Sequence, residues 1–349
     1  MKIQKVELAH KINKMKSVVP KKTTMSVLQG ILVKDGYLIA NNMEMSIKAK
    51  IEGADGECFI IPMKAFDLIN NLPTGEVEIV ANNDIIEIKA AKIKNKCQTM
   101  DPLQFPQPIM SEDEGQEITI ESSDLLESIK RVSYAIPTQS SNKIMTSLCL
   151  QARGGYLNFV GLDGHVMAWD KVNYTGEFEL LIPKSTIEKL QSVGIEGNVA
   201  IRHSKTNAVF VTEEYEIHTR LIDGNYYKYQ TMFQELPLYT EIRRTELLDA
   251  MIRAKMCTEE QSPVKFEFSD KVLNISIKDK ITDYHETIAL LKPLEKELTI
   301  GFDVRLVIET LKAFDCEKIG LRLQAAKAPM IVETEDSNFK TIVLPVAIK

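Results

Sequence analysis

The sequence lacks the features that mark several large classes of protein. No apolar run approaches the roughly 20 residues of a membrane-spanning helix, and the lysine-rich start of the chain contains no apolar signal-peptide core. The five cysteines are scattered without a Cys-x-x-Cys pair, which argues against a disulfide framework and against a zinc site. We therefore predict a cytoplasmic protein with no membrane association and no bound metal.

Motifs for nucleotide binding and for covalent catalysis are also missing. The sequence contains neither a P-loop nor a glycine-rich dinucleotide fingerprint. Asp163-Gly164-His165 could supply an Asp/His pair, but Asp-Gly is a common turn sequence and no serine or cysteine nucleophile motif accompanies it. We predict no cofactor, no catalytic residue and no enzymatic activity, and we keep catalysis by His165 as a minor alternative.

What the sequence does contain is a pattern that recurs three times in its 349 residues. Residues 59–73 run from an apolar strand through Pro62 into an amphipathic helix, in which Ala65, Ile69 and Leu72 share one face. The pattern returns at 180–190, around Pro183, and at 298–311, where Gly301 replaces the proline. Copies at even spacing indicate a threefold internal repeat.

Each repeat has a second predicted helix. Residues 7–20 place Leu8, Ile12, Met15 and Val19 at helical spacing, with Lys11 and Lys14 away from that apolar stripe. Related segments lie at 123–132 and 245–253, and each begins with residues suited to capping a helix. Alternating strands such as 76–80 and 264–268 lie between the helices.

These patterns predict an α+β fold of three repeated domains, each with two helices packed on antiparallel sheets. We place the domains at 1–115, 116–238 and 239–349, with an acidic, polar linker at 111–116 and a second linker at 234–237.

Charge is distributed unevenly along the chain. The net charge of −6 argues by itself against nucleic-acid binding. However, residues 2–22 carry seven lysines against one glutamate, and the six predicted helices together carry about +9, which leaves about −15 elsewhere. This segregation favours helices that face a polyanion, although lysines that merely solvate exposed helix faces would give a similar count.

Six stretches, in order along the chain, resemble segments of the bacterial DNA polymerase III sliding clamp, the β subunit. They are residues 22–32, 42–47, 98–106, 162–168, 220–229 and 342–346. The resemblance spans the whole chain and implies a head-to-tail homodimer, a ring of six similar domains with helices around a pore. Double-stranded DNA would pass through the pore, held by sequence-independent phosphate contacts.

The resemblance also implies which residues contact DNA. Lys22, Gln139, Lys184 and Arg220 match the DNA-contacting positions of the family, and Lys11, Lys14 and Lys143 are plausible additions. Asn70 and Asn225 stand where the family often has basic residues. We therefore expect DNA contact to depend mainly on the first helix.

A hydrophobic cleft between the middle and last domains is the second surface that the resemblance implies. In the family it receives linear clamp-binding peptides of the replicative DNA polymerase and the clamp loader. The matching positions here are Met145, Gly164, His165, Val166, Met167, Tyr227, Thr231, Ile342, Leu344, Pro345 and Val346. Because Val166, Tyr227 and Thr231 depart from the commoner family residues, the preferred peptide should differ from the usual one.

We therefore predict a DNA sliding clamp, a processivity factor that encircles duplex DNA and tethers the replicative polymerase and other clamp-binding proteins. The alternative is a scaffold of the same fold that binds peptides but does not encircle DNA. The missing basic residues at Asn70 and Asn225 motivate that alternative.

Overall fold

A computed structural model describes residues 1–106, 117–257, 263–278, 282–334 and 338–348 of the chain. The described residues form three repeats of the same order: a strand, a helix, four strands, a helix and three strands. The first repeat contains β1 Lys2–Gln4, α1 Lys5–Met15, β2 Gly30–Lys34, β3 Tyr37–Asn41, β4 Met45–Lys50, β5 Cys58–Pro62, α2 Phe66–Asn71, β6 Glu76–Asn82, β7 Ile85–Ala90 and β8 Ile93–Gln98.

The other two repeats follow the same order. The second contains β9 Glu117–Glu121, α3 Ser122–Val132, β10 Ser147–Arg153, β11 Tyr156–Leu162, β12 Val166–Asn173, β13 Phe178–Pro183, α4 Lys184–Val193, β14 Asn198–His203, β15 Asn207–Val211 and β16 Tyr215–Arg220. The third contains β17 Leu238–Arg243, α5 Arg244–Met256, β18 Val264–Ser269, β19 Val272–Lys278, β20 Asp283–Ala289, β21 Leu298–Phe302, α6 Val304–Ala313, β22 Lys318–Leu323, β23 Met330–Glu333 and β24 Lys340–Val343.

Two compact units contain these three repeats. Unit 1 comprises Met1–Leu125 and Ser185–Leu221, and unit 2 comprises Leu126–Lys184 and Ile222–Lys349. The second repeat contributes strands to both units, which is why three repeats give two units. The predicted first linker at 111–116 lies outside the described residues, so the boundary between residues 115 and 116 stays a prediction.

Each unit has an eight-stranded antiparallel sheet that joins two repeats. In unit 1 the strand order is β5-β2-β3-β4-β16-β15-β14-β9, and Ser46 lies opposite His218 where the repeats meet. In unit 2 the order is β13-β10-β11-β12-β24-β23-β22-β17, and Met167 lies opposite Ile342. At both junctions, the third strand after one repeat's first helix pairs with the last strand of the next repeat.

Each unit also has a four-stranded antiparallel sheet. The strand order is β1-β6-β7-β8 in unit 1 and β20-β19-β18-β21 in unit 2. One of these sheets ends at β8, the last strand of its repeat, and the other ends at β20, the third strand after the first helix of its repeat. These are the two strand positions that pair at the junctions of the eight-stranded sheets.

The apolar helix faces predicted from sequence pack into the core. Leu8, Ile12 and Met15 of α1 are buried, as are Ala65 and Ile69 around α2, because residues three and four apart lie on one helix face. The predicted α+β fold, with three repeats of two helices and antiparallel strands, is confirmed.

Several local predictions about helix starts are wrong. Proline suits the first turn of a helix, which predicts that Pro62 and Pro183 begin their helices, but they are the last residues of β5 and β13. Gly301 lies inside β21, and Asp303 precedes α6 instead, with a carboxylate that accepts the Arg305 N–H at 2.8 Å. The expected threonine cap of α5 is also absent, because Arg243 occupies the capping position and its side chain makes no capping bond.

Candidate functional site

Lys11, which the sequence pattern places away from the apolar stripe of α1, is buried. Lys11 is only 8% exposed. The Nζ atom lies 3.5 Å from Glu214 Oε2 and 5.5 Å from the centroid of the Tyr215 ring. Position 11 lies between Leu8 and Met15 at helical spacing, so the lysine stem covers the edge of the apolar face while its ammonium reaches a carboxylate.

Lys14 is half-buried and its charge is already hydrogen-bonded. Its Nζ donates to the main-chain oxygen of Ser192 at 2.8 Å. Lys189, which is buried on α4, donates in turn to the main-chain oxygen of Lys14 at 2.8 Å and to Ser17 Oγ. These bonds tie α1 to α4, so Lys14 has a structural role as well as a positive charge.

Two predicted DNA-contacting cations of unit 1 are exposed. Lys22 follows α1 in an irregular segment, and Arg220 is the last residue of β16, where its main-chain N–H donates to Glu44 O at 3.0 Å. On α2, Asn70 exchanges side-chain hydrogen bonds with Asn13 of α1 at 2.9 and 3.2 Å. Asn70, which was noted as replacing a basic residue frequent in the resembled family, therefore forms an amide pair with Asn13.

The remaining predicted DNA-contacting residues lie in unit 2. Gln139 and Lys143 are exposed. Lys184 begins α4 and is half-buried, because its ammonium donates to the main-chain oxygen of Ile136. Asn225 is exposed in the segment that precedes Tyr226.

The predicted cleft residues of unit 2 gather around the junction of β12 and β24. Val166 lies opposite Val343 and Met167 opposite Ile342, and all four are buried. Pairing continues past the end of β24, where the Leu344 N–H donates to His165 O at 2.8 Å. Leu344 itself is partly exposed, so an apolar side chain stands at the edge of this junction.

The segment Asp163-Gly164-His165 forms the predicted turn. One carboxylate oxygen of Asp163 accepts the main-chain N–H groups of His165 and Val166, at 2.8 and 2.7 Å. Gly164 has φ of +90°, a conformation that glycine adopts without a side-chain clash. The Asp163 carboxylate thus holds the turn, and the His165 side chain is exposed at its tip.

An apolar cluster includes the two central residues of the β12–β24 junction. The partly buried Tyr227 packs against this cluster. Met167 and Ile342 pack in it with eight other buried residues: Cys149, Val160, Leu162, Leu181, Tyr226, Tyr229, Leu236 and Ile331. The Tyr227 hydroxyl accepts a hydrogen bond from Asn142 Nδ2 at 2.7 Å. Met145 lies on the 3₁₀ turn Lys143–Thr146, whose Ile144 reaches the same cluster.

Buried tyrosines keep this cluster uncharged. Burial raises the pKa of both Tyr226 and Tyr229, so both hydroxyls remain protonated. They donate to the main-chain oxygen of Val160 at 3.4 Å and to Gln151 Oε1 at 2.8 Å. The apolar cluster at the β12–β24 junction therefore contains no ionised tyrosine.

The remaining predicted cleft positions lie in two separate segments, one around Pro345 and one at Thr231. The Val346 N–H donates to Gly301 O at 2.9 Å, which fixes the segment that contains Pro345 on unit 2. The Thr231 hydroxyl donates to the main-chain oxygen of Lys228 within its own turn. Sequence reasoning missed Asn142, Ile144 and Ile331, because their roles come from long-range packing that no local pattern records.

The residues that the structure describes contain neither a metal-ligand cluster nor a membrane-spanning helix. Among the described residues, no three His, Cys, Asp or Glu side chains are grouped so that they could hold a metal ion. None of the helices there has the length and apolarity to cross a bilayer.

Three family models match almost the entire chain. They are the DNA polymerase III beta subunit N-terminal domain over residues 1–109, its central domain over 119–228 and its C-terminal domain over 235–347. The chain belongs to the DNA polymerase III beta subunit family. The order of the three matches along the chain follows the order of its three structural repeats.

Relatives and solved structures agree with this membership. The chain is similar to the beta sliding clamps of Bacillus subtilis, with 22% identity over 99% of this chain and 98% of the relative, and of Halalkalibacterium halodurans, with 21% identity over 94% and 93%.

Solved beta subunits share its fold. The structure from Pseudomonas aeruginosa bound to griselimycin has a TM-score of 0.93 at 20% identity, over 100% of this chain and 99% of that one. The clamp structure from Bacillus subtilis has a TM-score of 0.91 at 22% identity, with the same coverage.

Proposed function

We propose that this beta subunit is a DNA sliding clamp, a cytoplasmic and non-catalytic processivity factor that encircles duplex DNA and tethers the replicative polymerase. The observation that carries the proposal is the threefold repeat, whose strands pair from one repeat to the next at two successive junctions. We keep the predicted domains 1–115, 116–238 and 239–349 as part of this proposal.

The same pairing rule supports a head-to-tail dimer. The first repeat joins the second through β4 and β16, and the second joins the third through β12 and β24. The strand of the third repeat that corresponds to β4 and β12 is β20, and the strand of the first repeat that corresponds to β16 and β24 is β8. Pairing of β20 in one copy with β8 in another would complete two more eight-stranded sheets and close a ring of six repeats.

Charges on the two free edges fit such a contact. Lys94 and Lys96 of β8 are more than half exposed, and each lies within 4 Å of Glu87 on the neighbouring strand. On β20, Asp283 is also more than half exposed. An exposed strand edge is a template for association with another strand, and complementary charges on the two edges favour pairing of β8 with β20.

DNA contact in this proposal depends on exposed groups rather than on the whole first helix. Lys22 and Arg220 in unit 1, with Gln139 and Lys143 in unit 2, present exposed side chains. A closed ring needs only weak phosphate contacts, because it cannot leave the duplex without opening. Lysine suits such contacts because it is a flexible point charge that demands no fixed geometry.

The cleft at the β12–β24 junction is proposed to receive linear peptides of the polymerase and the clamp loader. Met167, Tyr227 and Ile342 form its apolar wall and floor, and Leu344 stands at its edge. A preformed apolar groove binds short peptides through a few apolar anchors, and the methionine side chain adapts to differences between them.

Two measurements test the clamp. Light scattering should give twice the 39.4 kDa mass of one chain. The protein, loaded by its clamp loader, should stay on nicked circular DNA and be lost when a nuclease linearises that DNA. A stable monomer, or equal loss from circular and linear DNA, contradicts the proposal.

The scaffold remains a second candidate, because several predicted cations are already engaged. Lys11 faces Glu214, while Lys14 and Lys184 donate to main-chain oxygens. Charge reversal of the two exposed lysines, Lys22→Glu with Lys143→Glu, separates the candidates. A clamp should lose residence on circular DNA, whereas a scaffold should show unchanged peptide binding and no DNA effect.

A further inference from the structure

The hairpins that supply one strand to each junction have turns of equal length. Ser46 of β4 and Met167 of β12 each pair with the residue five positions earlier in the chain. In the third repeat, Asp283 of β20 likewise pairs with the residue five positions earlier, Lys278 of β19. In each hairpin this is the pair next to the turn. Asp283 is therefore the counterpart on β20 of Ser46 and Met167.

The last strand of each repeat is aligned by a row of paired residues. The row starts three positions before the first helix of the repeat and crosses four strands. In repeat order, the row ends on Lys94, Glu216 and Lys340. Two positions further along the same strands lie Lys96, His218 and Ile342. Lys96 is therefore the counterpart on β8 of the residues that lie opposite Ser46 and Met167 at the two observed junctions.

Opposite charges meet when β20 of one copy is joined to β8 of another in this register. Asp283 then lies opposite Lys96, and both side chains are more than half exposed in the single chain. Within their own sheets, Lys96 pairs with Glu87 and Asp283 pairs with Lys278. Joining the edges therefore completes a row of alternating charge across four strands. The corresponding rows at the observed junctions contain no lysine, aspartate or glutamate.

A second contact recurs on the opposite face of the two observed junctions. There, a cation on the first helix of one repeat covers an aromatic ring of the next repeat. Lys11 Nζ lies 5.5 Å from the centroid of the Tyr215 ring, and the guanidinium carbon of Arg131 lies 5.8 Å from that of Phe339. These rings come one position before the ends of the rows described above. The residue at that position of β8 is Ile93, an apolar side chain that is 40% exposed.

Arg253 is the cation that corresponds to Arg131. Each is the tenth residue of its helix, α3 or α5, and each bonds to a carboxylate on the third strand after that helix. Arg131 Nη1 lies 3.4 Å from Asp170 Oδ2. Arg253 Nε lies 3.0 Å from Glu286 Oε2, yet its side chain remains 52% exposed. A weakly hydrated guanidinium on an apolar stem can cover an aliphatic side chain as well as a ring.

We propose that β20 of one copy selects β8 of a second copy through these two contacts, in the register that sets Asp283 opposite Lys96 and Ile93 beneath Arg253. The proposal rests on the proposed head-to-tail dimer and adds which residues choose the partner edge. Like charges opposite each other are unfavourable, so the lysines of one β8 edge reject another β8 edge. The Arg253 contact fixes the register, because a shift by two residues would move Ile93 away from the guanidinium.

Charge reversal in full-length chains tests this register. Lys96→Glu sets two carboxylates opposite each other, and Asp283→Lys sets two ammonium groups opposite each other, so each variant alone should dimerise more weakly. A closed ring of two copies contains the contact twice, so a loss of about fivefold per contact becomes about 25-fold in the dimer dissociation constant. An equimolar mixture of the two variants should regain the affinity of the parent. In the mixed dimer, one contact has exchanged its charges and the other is unchanged.

Analytical ultracentrifugation measures these affinities, and circular dichroism checks that each variant is folded. The matched control is Lys94→Glu mixed with Asp283→Lys, which should stay weak because the register sets Lys94 opposite His285. Ile93→Ala should also weaken the dimer, by about fivefold per contact, whereas Ile85→Ala should not. Ile85 is 44% exposed on β7 and lies on the other face of the sheet.

Three results would overturn the proposed register. They are single charge variants that dimerise as tightly as the parent, a mixture of Lys96→Glu with Asp283→Lys that stays as weak as its components, and equal recovery in the Lys94→Glu mixture. A monomeric parent chain would contradict the head-to-tail dimer as well as the register. The two failures are therefore distinguishable.

Discussion

The ammonium of Lys189 donates to the main-chain oxygen of Lys14 at 2.8 Å, while the ammonium of Lys14 donates to the main-chain oxygen of Ser192 at 2.8 Å. Two lysines thus cross between α1 and α4 and cap the carbonyl groups near each other's helix ends. Cations at helix C-termini also interact favourably with the helix dipole. These hydrogen bonds join α1 to α4 within unit 1, although a count of basic residues would assign both lysines to DNA.

Replacing Lys189 with methionine tests this structural role. Lys189→Met keeps the apolar stem but leaves the oxygens of Lys14 and Ser17 without their donor. We expect the free energy of unfolding to fall by about 1 kcal/mol at pH 7, because the hydrogen bonds to two partly solvated acceptors are lost. Urea denaturation measures it, with the exposed Lys16→Met as the matched control. A Lys189→Met variant as stable as the control would contradict the prediction.

The same lysine predicts a pH dependence. Burial, with a contribution from the charge of Lys14, lowers the pKa of Lys189 below its ordinary value of 10.5. Between the folded-state pKa and 10.5, the unfolded chain binds more protons than the folded one, so stability rises with pH through this window. The stability deficit of Lys189→Met should therefore grow as the pH approaches 10.5. Parallel pH profiles for the two proteins would show that Lys189 is not linked to folding.

Salt dependence separates the DNA roles of two lysines on or near α1. Lys22 is exposed, whereas Lys11 is buried against Tyr215 and faces Glu214. Lys22→Gln should reduce the slope of log affinity against log salt by about one, the value for one lost phosphate contact. Lys11→Gln should leave the slope unchanged and lower the thermal midpoint instead. Binding to nicked circular DNA at several salt concentrations measures both, and a slope change in Lys11→Gln alone would reverse the assignment.

Local patterns were enough to predict the repeats, the buried helix faces and the turn at Gly164. Each of these depends on residues within a few positions of one another, such as Leu8 and Ile12, or Asp163 and Val166. The sequence could not indicate that Ser46 pairs with His218, because 171 residues separate two strands whose own patterns fit many neighbours.

Lys11 illustrates a different limit. A helical stripe has edges, and a lysine at the edge can either extend into solvent or lie along the apolar face. Glu214 and Tyr215 decide between these outcomes, and both come from the second repeat. Most cleft positions taken from the family resemblance lie around one junction, but Thr231 bonds within its own turn, and the DNA positions fell into exposed and engaged groups.

Leu344 should contribute to peptide binding more than to folding. It is 38% exposed at the edge of the β12–β24 junction. Leu344→Ala should weaken binding of a fluorescein-labelled linear peptide with leucine anchors about tenfold, because roughly 1–2 kcal/mol of apolar burial is lost. Leu103→Ala is the matched control, since Leu103 is 87% exposed in unit 1. Equal affinities of the two variants would place the peptide elsewhere.

Acid should weaken unit 1 through Glu216. A hydrogen bond from His218, followed by the hydrogen bond and charge of Lys48, lowers the pKa of Glu216 from 4.5 to about 2. The folded state therefore holds fewer protons than the unfolded state between pH 2 and 4.5, and stability is lost as the pH falls through that range. Glu216→Gln removes this linkage, so it should be less stable than the parent at pH 7 and the difference should narrow towards pH 2.

Chemical denaturation at several pH values measures this difference in stability, with the exposed Glu177→Gln as the matched control. A constant difference would show that His218 and Lys48 do not stabilise the Glu216 carboxylate.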